Sequence, residues 1–182
     1  LVYIPNAKAG PAWVARLAVG GAAADLPHGP NPVTAVAWSP DGTTIATGGH
    51  GDVVLWDAAT RKELRRVRIA GRNGSSAVNA LAFALDGRTL AAAVTLDSGT
   101  NVDRVVMLDP AGGGRIGDDL QLYRDGEEMA ALALAWSPDG TALAVGLRGY
   151  GAKATAGAVR VFTTQPAAAA PAWRPRAVTT DR

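Results

Sequence analysis

The residues of this chain whose types could do chemistry are few, and they do not assemble into a catalytic set. His28, His50 and Asp52 could be imagined as metal ligands, but a structural site usually draws on four donors and the chain has no cysteine to complete one. Packing or surface roles are expected for the two histidines instead. Ser75, His50 and Asp97 compose a serine–histidine–aspartate set on paper, yet nothing supplies a nucleophile elbow or an oxyanion hole. Gly112-Gly113-Gly114-Arg115-Ile116-Gly117 satisfies the G-x-G-x-x-G pattern that cradles a pyrophosphate. A dinucleotide site needs a helix to begin there. Here Asp118 and Asp119 would repel a phosphate, and the alternation through Leu120, Gln121, Leu122 and Tyr123 is that of a strand. A hairpin turn is the expectation. Asn73-Gly74-Ser75 has the form of a glycosylation acceptor but reads better as a turn. The chain is therefore expected to be non-catalytic, with no cofactor and no metal.

Composition bounds the rest. The 182 residues are enough for an ordinary domain with its own core. The longest apolar run, 129–136, is far short of the ~20 residues that span a bilayer. A net charge of +2 with no dense Lys/Arg block argues against nucleic acid as a partner. No signal-peptide pattern is visible, which weakly favours the cytoplasm. The abundance of Ala, Gly, Arg and Pro over Lys points to a GC-rich, bacterial genome.

What organises the chain is a repeat. Val36-Ala37-Trp38-Ser39-Pro40-Asp41-Gly42, Leu81-Ala82-Phe83-Ala84-Leu85-Asp86-Gly87 and Leu134-Ala135-Trp136-Ser137-Pro138-Asp139-Gly140 align, with aromatic residues 45 and 53 positions apart. Each copy reads as an apolar strand, a turn in which Gly42, Gly87 or Gly140 supplies positive φ, and a second apolar strand. Third strands follow at 53–57, 105–109 and 159–162, and fourth strands at 63–69, 120–123 and, weakly, 173–178. Trp38, Phe83 and Trp136 share one register position and are expected in the core. Near the start, 2–4 aligns with a third strand and 13–17 with a fourth, so the chain is expected to open in mid-unit as a piece of something longer.

Four short strands per unit of about 45 residues describe one blade of a β-propeller. The repeats resemble the WD40 family, on 33–42, Ile45-Ala46-Thr47-Gly48 and Val53-Val54-Leu55-Trp56-Asp57. The resemblance implies an all-β partial propeller of four-stranded antiparallel blades, about three and a half of them. The expected divisions are 1–26, the end of a preceding blade; blades at 27–70, 71–124 and 125–164; and a weak last strand or linker at 165–182. Family members often tie each blade with a buried His, Ser/Thr, Asp and Trp. In the first copy His28, Thr47 and Trp56 fit, whereas His50 stands where the Asp is usual. In the other copies Ala92 and Val145 replace the Ser/Thr, and Leu108 and Phe162 replace the Trp, so that network is expected to be partial. The Trp-Ser-Pro-Asp-Gly copies also look like the propellers of TolB-like and prolyl-oligopeptidase-type proteins, which dock or gate a substrate for a domain elsewhere.

The resemblance implies a scaffold for protein partners, joined in bacterial relatives to kinase, protease or signalling domains. Loops joining blades, and those between second and third strands, leave by one face in this family. They are read at 20–32, 71–76, 95–103 and 147–157, and carry His28, Asn31, His50, Arg72, Asn73, Asp97, Asn101, Asp103, Arg148, Tyr150 and Lys153. Contact hot spots favour Tyr and Arg, so Arg72, Arg148 and Tyr150 lead, with His50 and Lys153 beside them. No membrane partner is expected. Open blade flanks suggest self-association.

Overall fold

A computed structural model describes residues 2–3, 13–16, 24–29, 31–69, 76–96, 102–122, 129–149, 157–164 and 173–176, and every element among them is a strand. The first three, β1 (Val2–Tyr3), β2 (Trp13–Arg16) and β3 (Ala24–Pro27), form a three-stranded antiparallel sheet. Three four-stranded sheets follow. Blade 1 is β4 (Val33–Trp38), β5 (Thr44–Gly49), β6 (Asp52–Asp57) and β7 (Glu63–Arg68). Blade 2 is β8 (Ser76–Phe83), β9 (Leu90–Leu96), β10 (Val102–Leu108) and β11 (Leu120–Gln121). Blade 3 is β12 (Met129–Trp136), β13 (Ala142–Gly149), β14 (Ala158–Thr164) and β15 (Trp173–Arg176). In each blade the strands lie in chain order and pair antiparallel.

The turn between the first two strands is the same in all three blades. Gly42, Gly87 and Gly140 adopt φ of 71, 69 and 70°, the left-handed region in which a side chain is strained. In each, the glycine N–H donates to a carbonyl three residues back: Ser39 at 2.9 Å, Ala84 at 2.9 Å and Ser137 at 2.9 Å. The first strand of every blade also carries a bulge at one register position, between Val33 and Ala35, Val78 and Ala80, and Ala131 and Ala133. The bulge shifts side-chain parity by one and adds local twist.

One expectation fails at the start of the chain. The segment 20–32 reads as a loop from its Gly and Pro content, yet Ala24–Pro27 pairs with Trp13–Arg16 as a further strand. The reason lies in the alternation of exposed Asp25, buried Leu26, exposed Pro27 and buried His28. Period two outweighs the turn-forming composition.

The sheets stack face to face, and the two faces of a blade differ in size. Let the rear face look towards the preceding sheet and the forward face towards the next. Leu90, Ala92, Val94, Val106 and Leu108 of blade 2 point rearwards into a cluster with Ala35, Ala46, Val53 and Leu55 of blade 1. The intervening residues, Ala91, Ala93, Val105 and Met107, point forwards into a cluster with Ala131, Leu143, Val145, Leu147 and Phe162 of blade 3. Strands buried on both faces explain why 53–56 and 105–108 are continuous apolar runs rather than alternating ones. The rear positions hold bulky residues: Trp38, Phe83 and Trp136, and Ile45, Leu90 and Leu143. The equivalent forward positions are small on the first two strands: Ala37, Ala82 and Ala135, and Ala46, Ala91 and Ala144. Large side chains of one blade thus settle onto a flat bed on its predecessor, a close-packed arrangement.

Polar stitches cross the same seams. The Thr34 hydroxyl donates to the Val78 carbonyl at 2.5 Å, and the Trp136 indole N–H donates to the Ala82 carbonyl at 3.0 Å. Arg65 reaches the Ala111 carbonyl at 2.9 Å, and Arg160 reaches that of Leu122.

Candidate interaction face and first-blade polar network

The strongest concentration of polar chemistry among the described residues lies between β3 and blade 1. His28 follows β3 and is 1% exposed. Its Nδ1 lies 2.7 Å from Thr47 Oγ1, and the Trp56 indole N–H donates to that same hydroxyl oxygen at 2.9 Å. On the other side of the ring, Nε2 lies 3.2 Å from Asp52 Oδ1. An ionised carboxylate can only accept, so the neutral ring donates to Asp52 from Nε2, and the Thr47 O–H donates to Nδ1. The direction of every hydrogen bond is thereby set from Trp56 to Asp52. Arg66 then extends the network: it donates to Asp52 Oδ2 at 2.6 Å, to Glu63 Oε2 at 2.7 Å and to the His28 carbonyl at 3.1 Å.

This corrects the expectation that His50 displaces the network's acid and leaves it partial. In blade 1 the acid is present as Asp52. The tight turn ahead of β6, with Gly51 at φ 88°, moves the carboxylate two residues along the chain and turns His50 out to solvent. Gly49 makes room for the ring, since a Cβ there would sit 2.7 Å from His28 Nε2. Burial pulls the His28 pKa below its ordinary value, a trend that Asp52 opposes and does not overcome. The histidine is accordingly a neutral packing element.

Blades 2 and 3 lack this network, as expected. Ala92 and Val145 are each 0% exposed, and Leu108 and Phe162 are 2% exposed, filling the same register with apolar volume. Blade 2 instead buries Asp103, which accepts the Ala131 N–H of blade 3 at 2.7 Å and the Thr95 hydroxyl. Burial pushes its carboxyl above the usual range.

The repeat aspartates are turn-formers. Asp41 accepts the Ser39 hydroxyl at 2.5 Å and the Thr43 N–H at 3.0 Å; Asp139 accepts the Ser137 hydroxyl at 2.5 Å and the Thr141 N–H at 3.0 Å. Those hydrogen bonds, the serine's first, hold both carboxyls below the usual range. Asp86, in a copy with Ala84 in place of serine, accepts the Arg88 N–H at 2.9 Å. Asp57, after Trp56, accepts the Ala59 and Thr60 N–H groups at 3.0 and 2.6 Å and closes the turn into β7. Trp38, Phe83 and Trp136 prove half-buried, packed along the seams rather than enclosed. Residues 112–117 form a turn without a helix, with Gly113 and Gly117 at φ 73 and 65°.

Of the residues expected on the interaction face, the structure exposes His50, Asn31 and Arg148. His50 bridges Ala77 of blade 2 through its backbone, and its carbonyl accepts the Asn31 side-chain amide at 3.3 Å. His28 and Asp103 are withdrawn from that face, because each is buried and hydrogen-bonded within a seam. Arg72, Asn73, Asp97, Asn101, Tyr150 and Lys153, along with Ser75, lie outside the described residues. Pairing of Val33 with Gly49, Ser76 with Leu96 and Met129 with Gly149 puts the start of each first strand beside the end of each second strand. Connections between second and third strands therefore open at the same end as the entries into each blade. Among the described residues no three His, Cys, Asp or Glu side chains cluster in a way that could hold a metal ion.

Comparison with known families finds that residues 24–57 match the WD domain, G-beta repeat. The match runs from β3 to the end of β6 and takes in His28, Thr47, Asp52, Trp56 and Asp57. With its stacked four-stranded antiparallel sheets, the chain is an all-β, WD40-like partial β-propeller.

Proposed function

We propose that this WD40-like propeller segment is a non-catalytic platform that binds a protein partner, as the interaction module of a larger multidomain protein. WD40 repeats are in general protein-interaction modules without chemistry of their own. The observation that carries the reading is the shared end of the blades. Strands buried on both faces hold a rigid frame, and successive blades present their connections at one end of it. Loops positioned by such a frame are where binding usually resides. His50 and Arg148 are exposed at that end, and Arg72, Tyr150 and Lys153 fall in connections that leave from it. Chemistry at this site would need a nucleophile or a metal; the reading assigns neither. Exposed Val159 on the flank of blade 3 adds a tendency of the isolated chain to self-associate.

The test is capture of partners by the full chain from its own cell extract, repeated with Arg148→Ala, Tyr150→Ala and His50→Ala. Loss of a captured protein with unchanged thermal stability is the expected result. A partner lost instead on Leu85→Ala, an exposed residue at the opposite end, would place the contact on the wrong face.

A further inference from the structure

Among the described residues one side chain sits on strained backbone, and it is a cation. Arg61 is the one non-glycine with positive φ, at 62°, a region that seven glycines take elsewhere. Glycine is at ease there and a side chain is not. Arg61 lies in the turn from β6 into β7, where its N–H donates to the Asp57 carbonyl at 2.8 Å. Glycine would make the same bond without strain, so the turn itself does not explain the arginine. A residue held in such a conformation points to a use for its side chain.

Arg61 also opens a basic stretch that Glu63, Leu64 and Val67 interrupt in sequence. Residues 61–68 hold five of the 18 Lys and Arg residues and one acid, a net +4 in a chain of net +2. The remainder of the chain is therefore net acidic. Folding lays the stretch along the outer edge of blade 1, where β7 pairs with β6 and with no other described strand. The Ile69 N–H donates to the Gly51 carbonyl at 2.9 Å, and the alternation of an antiparallel pair then turns the N–H and C=O of Arg66 and Arg68 away from β6. The edge is held in place from both sides. Arg65 reaches the Ala111 carbonyl, its Cδ filling the space that a Cβ on Gly113 would need, and Arg66 is tied to Asp52, Glu63 and the His28 carbonyl. Arg61, Lys62 and Arg68 are exposed and enter none of the ion pairs among the described residues, and Leu64 beside them is 56% exposed.

We infer that the outer edge of blade 1 docks an extended acidic peptide segment of a partner, which adds beside β7 as a fifth strand. Its backbone bonds the outward groups of Arg66 and Arg68, and its carboxylates meet Arg61, Lys62 and Arg68. Addition to a sheet edge draws affinity from main-chain hydrogen bonds and selectivity from alternate side chains; here the charge selects acids. A rigid edge lowers the ordering cost of binding. Blade 2 offers no comparable edge, since its outer strand β11 has two residues. Cations along an edge also deter unwanted strand pairing, but that role is met on relaxed backbone and does not call for Arg61. The edge is separate from the loop end, so neither reading depends on the other.

The probe is a short fluorescent peptide of alternating Glu and Thr, titrated with the full chain at physiological ionic strength and read by anisotropy. Replacing its Glu with Gln should weaken binding about tenfold or more. Two adjacent prolines at its centre, which keep the charge and remove ladder donors, should do the same. Lys62→Gln with Arg68→Gln should weaken binding about tenfold at unchanged Tm. Arg61→Gly separates use from structure: it should raise the Tm by about 2 °C or more while weakening the peptide about threefold or more. In saturating peptide the Arg66 and Arg68 amides should exchange about tenfold more slowly than in the chain alone. No binding, equal binding of the proline peptide, or unchanged affinity in Arg61→Gly overturns the inference. So does tighter binding of a single-stranded oligonucleotide, or a dimer of the chain in which those two amides are already protected. Partner capture at the loop end is scored separately, and its failure would leave this result standing.

Discussion

Blade 1 and blade 2 occupy the same architecture and solve the same packing problem with opposite chemistry. In blade 1, Trp56, Thr47, His28 and Asp52 form a directed chain of hydrogen bonds that ties β3 to the blade. In blade 2 the equivalent pair is Leu108 and Ala92, which belong to a cluster of buried apolar side chains. The contrast shows that the fold does not require the polar network. What both blades share is volume: a bulky group at the third-strand position over a rear face of large residues. The polar version adds direction, since Trp56 donates to Thr47 and His28 donates to Asp52, and an unmade bond in a buried site is expensive.

The comparison can be broken first at Trp56. Trp56→Ala empties the largest buried side chain and frees the Thr47 hydroxyl from its donor, and should destabilise by about 3–5 kcal/mol in urea unfolding. Leu108→Ala should fall at the lower end of about 2–5 kcal/mol, because only volume is lost. A smaller effect at Trp56 than at Leu108 would mean that the network contributes nothing beyond packing.

Exchanging the small residues sharpens the point. Thr47→Ala copies blade 2 into blade 1 and leaves the Trp56 N–H without its acceptor, at about 1–3 kcal/mol. Ala92→Thr copies blade 1 into blade 2 and buries a hydroxyl beside Leu108, at a similar cost of about 1–3 kcal/mol. Both substitutions should destabilise although they are formally inverse. If either is neutral, the residue at this position is not matched to its blade.

The third and smallest effect is pH dependence. His28 has a folded-state pKa below its ordinary value, so the unfolded chain takes up a proton more readily than the folded one. The stabilisation is complete above the ordinary imidazole value of about 6.5 and declines as the pH falls towards the folded-state value. Asp103, raised by burial, acts in the opposite sense at lower pH: its contribution is full below the ordinary carboxyl value and fades as the pH rises through the folded-state value. Thermal unfolding of the wild type should therefore lose stability below about pH 6.5 relative to His28→Gln, whose curve should lack that component. Parallel curves for the two proteins would show that His28 is not the titrating group.

Much of this architecture was legible in the residues themselves. The recurrence of Trp38, Phe83 and Trp136 ahead of Asp-Gly turns predicts three like units, and the apolar runs at 53–57 and 105–109 predict their third strands. Three features escaped for physical reasons. β3 is masked by prolines and glycines around a two-residue alternation. Asp52 fills a role defined in space, which a fixed spacing to Trp56 misses once the turn shortens. The bulges at Thr34, Asn79 and Leu132 change side-chain parity without changing composition, so a pattern of apolar and polar residues does not reveal them. The forward bed of small residues was visible in retrospect in the alanine that precedes each of the three aromatics. At the binding end the outcome is narrower: His50 and Arg148 stand exposed, while His28 and Asp103 show that a polar residue near a loop can be a seam component.

The central claim is that large rear residues of one blade fit small forward residues of the one before, and the pair Gly48 and Val78 tests it most directly. Gly48→Ala alone should destabilise by about 1–3 kcal/mol through overpacking, and Val78→Ala alone by about 2 kcal/mol through the space it leaves. The double variant recreates the Ala93 and Ala131 pair of the next seam. In a urea double-mutant cycle it should therefore be more stable than the sum of the two losses by about 1 kcal/mol or more. Losses that simply add would mean that these two residues do not face one another across a seam, and the stacked-blade account would fail with them.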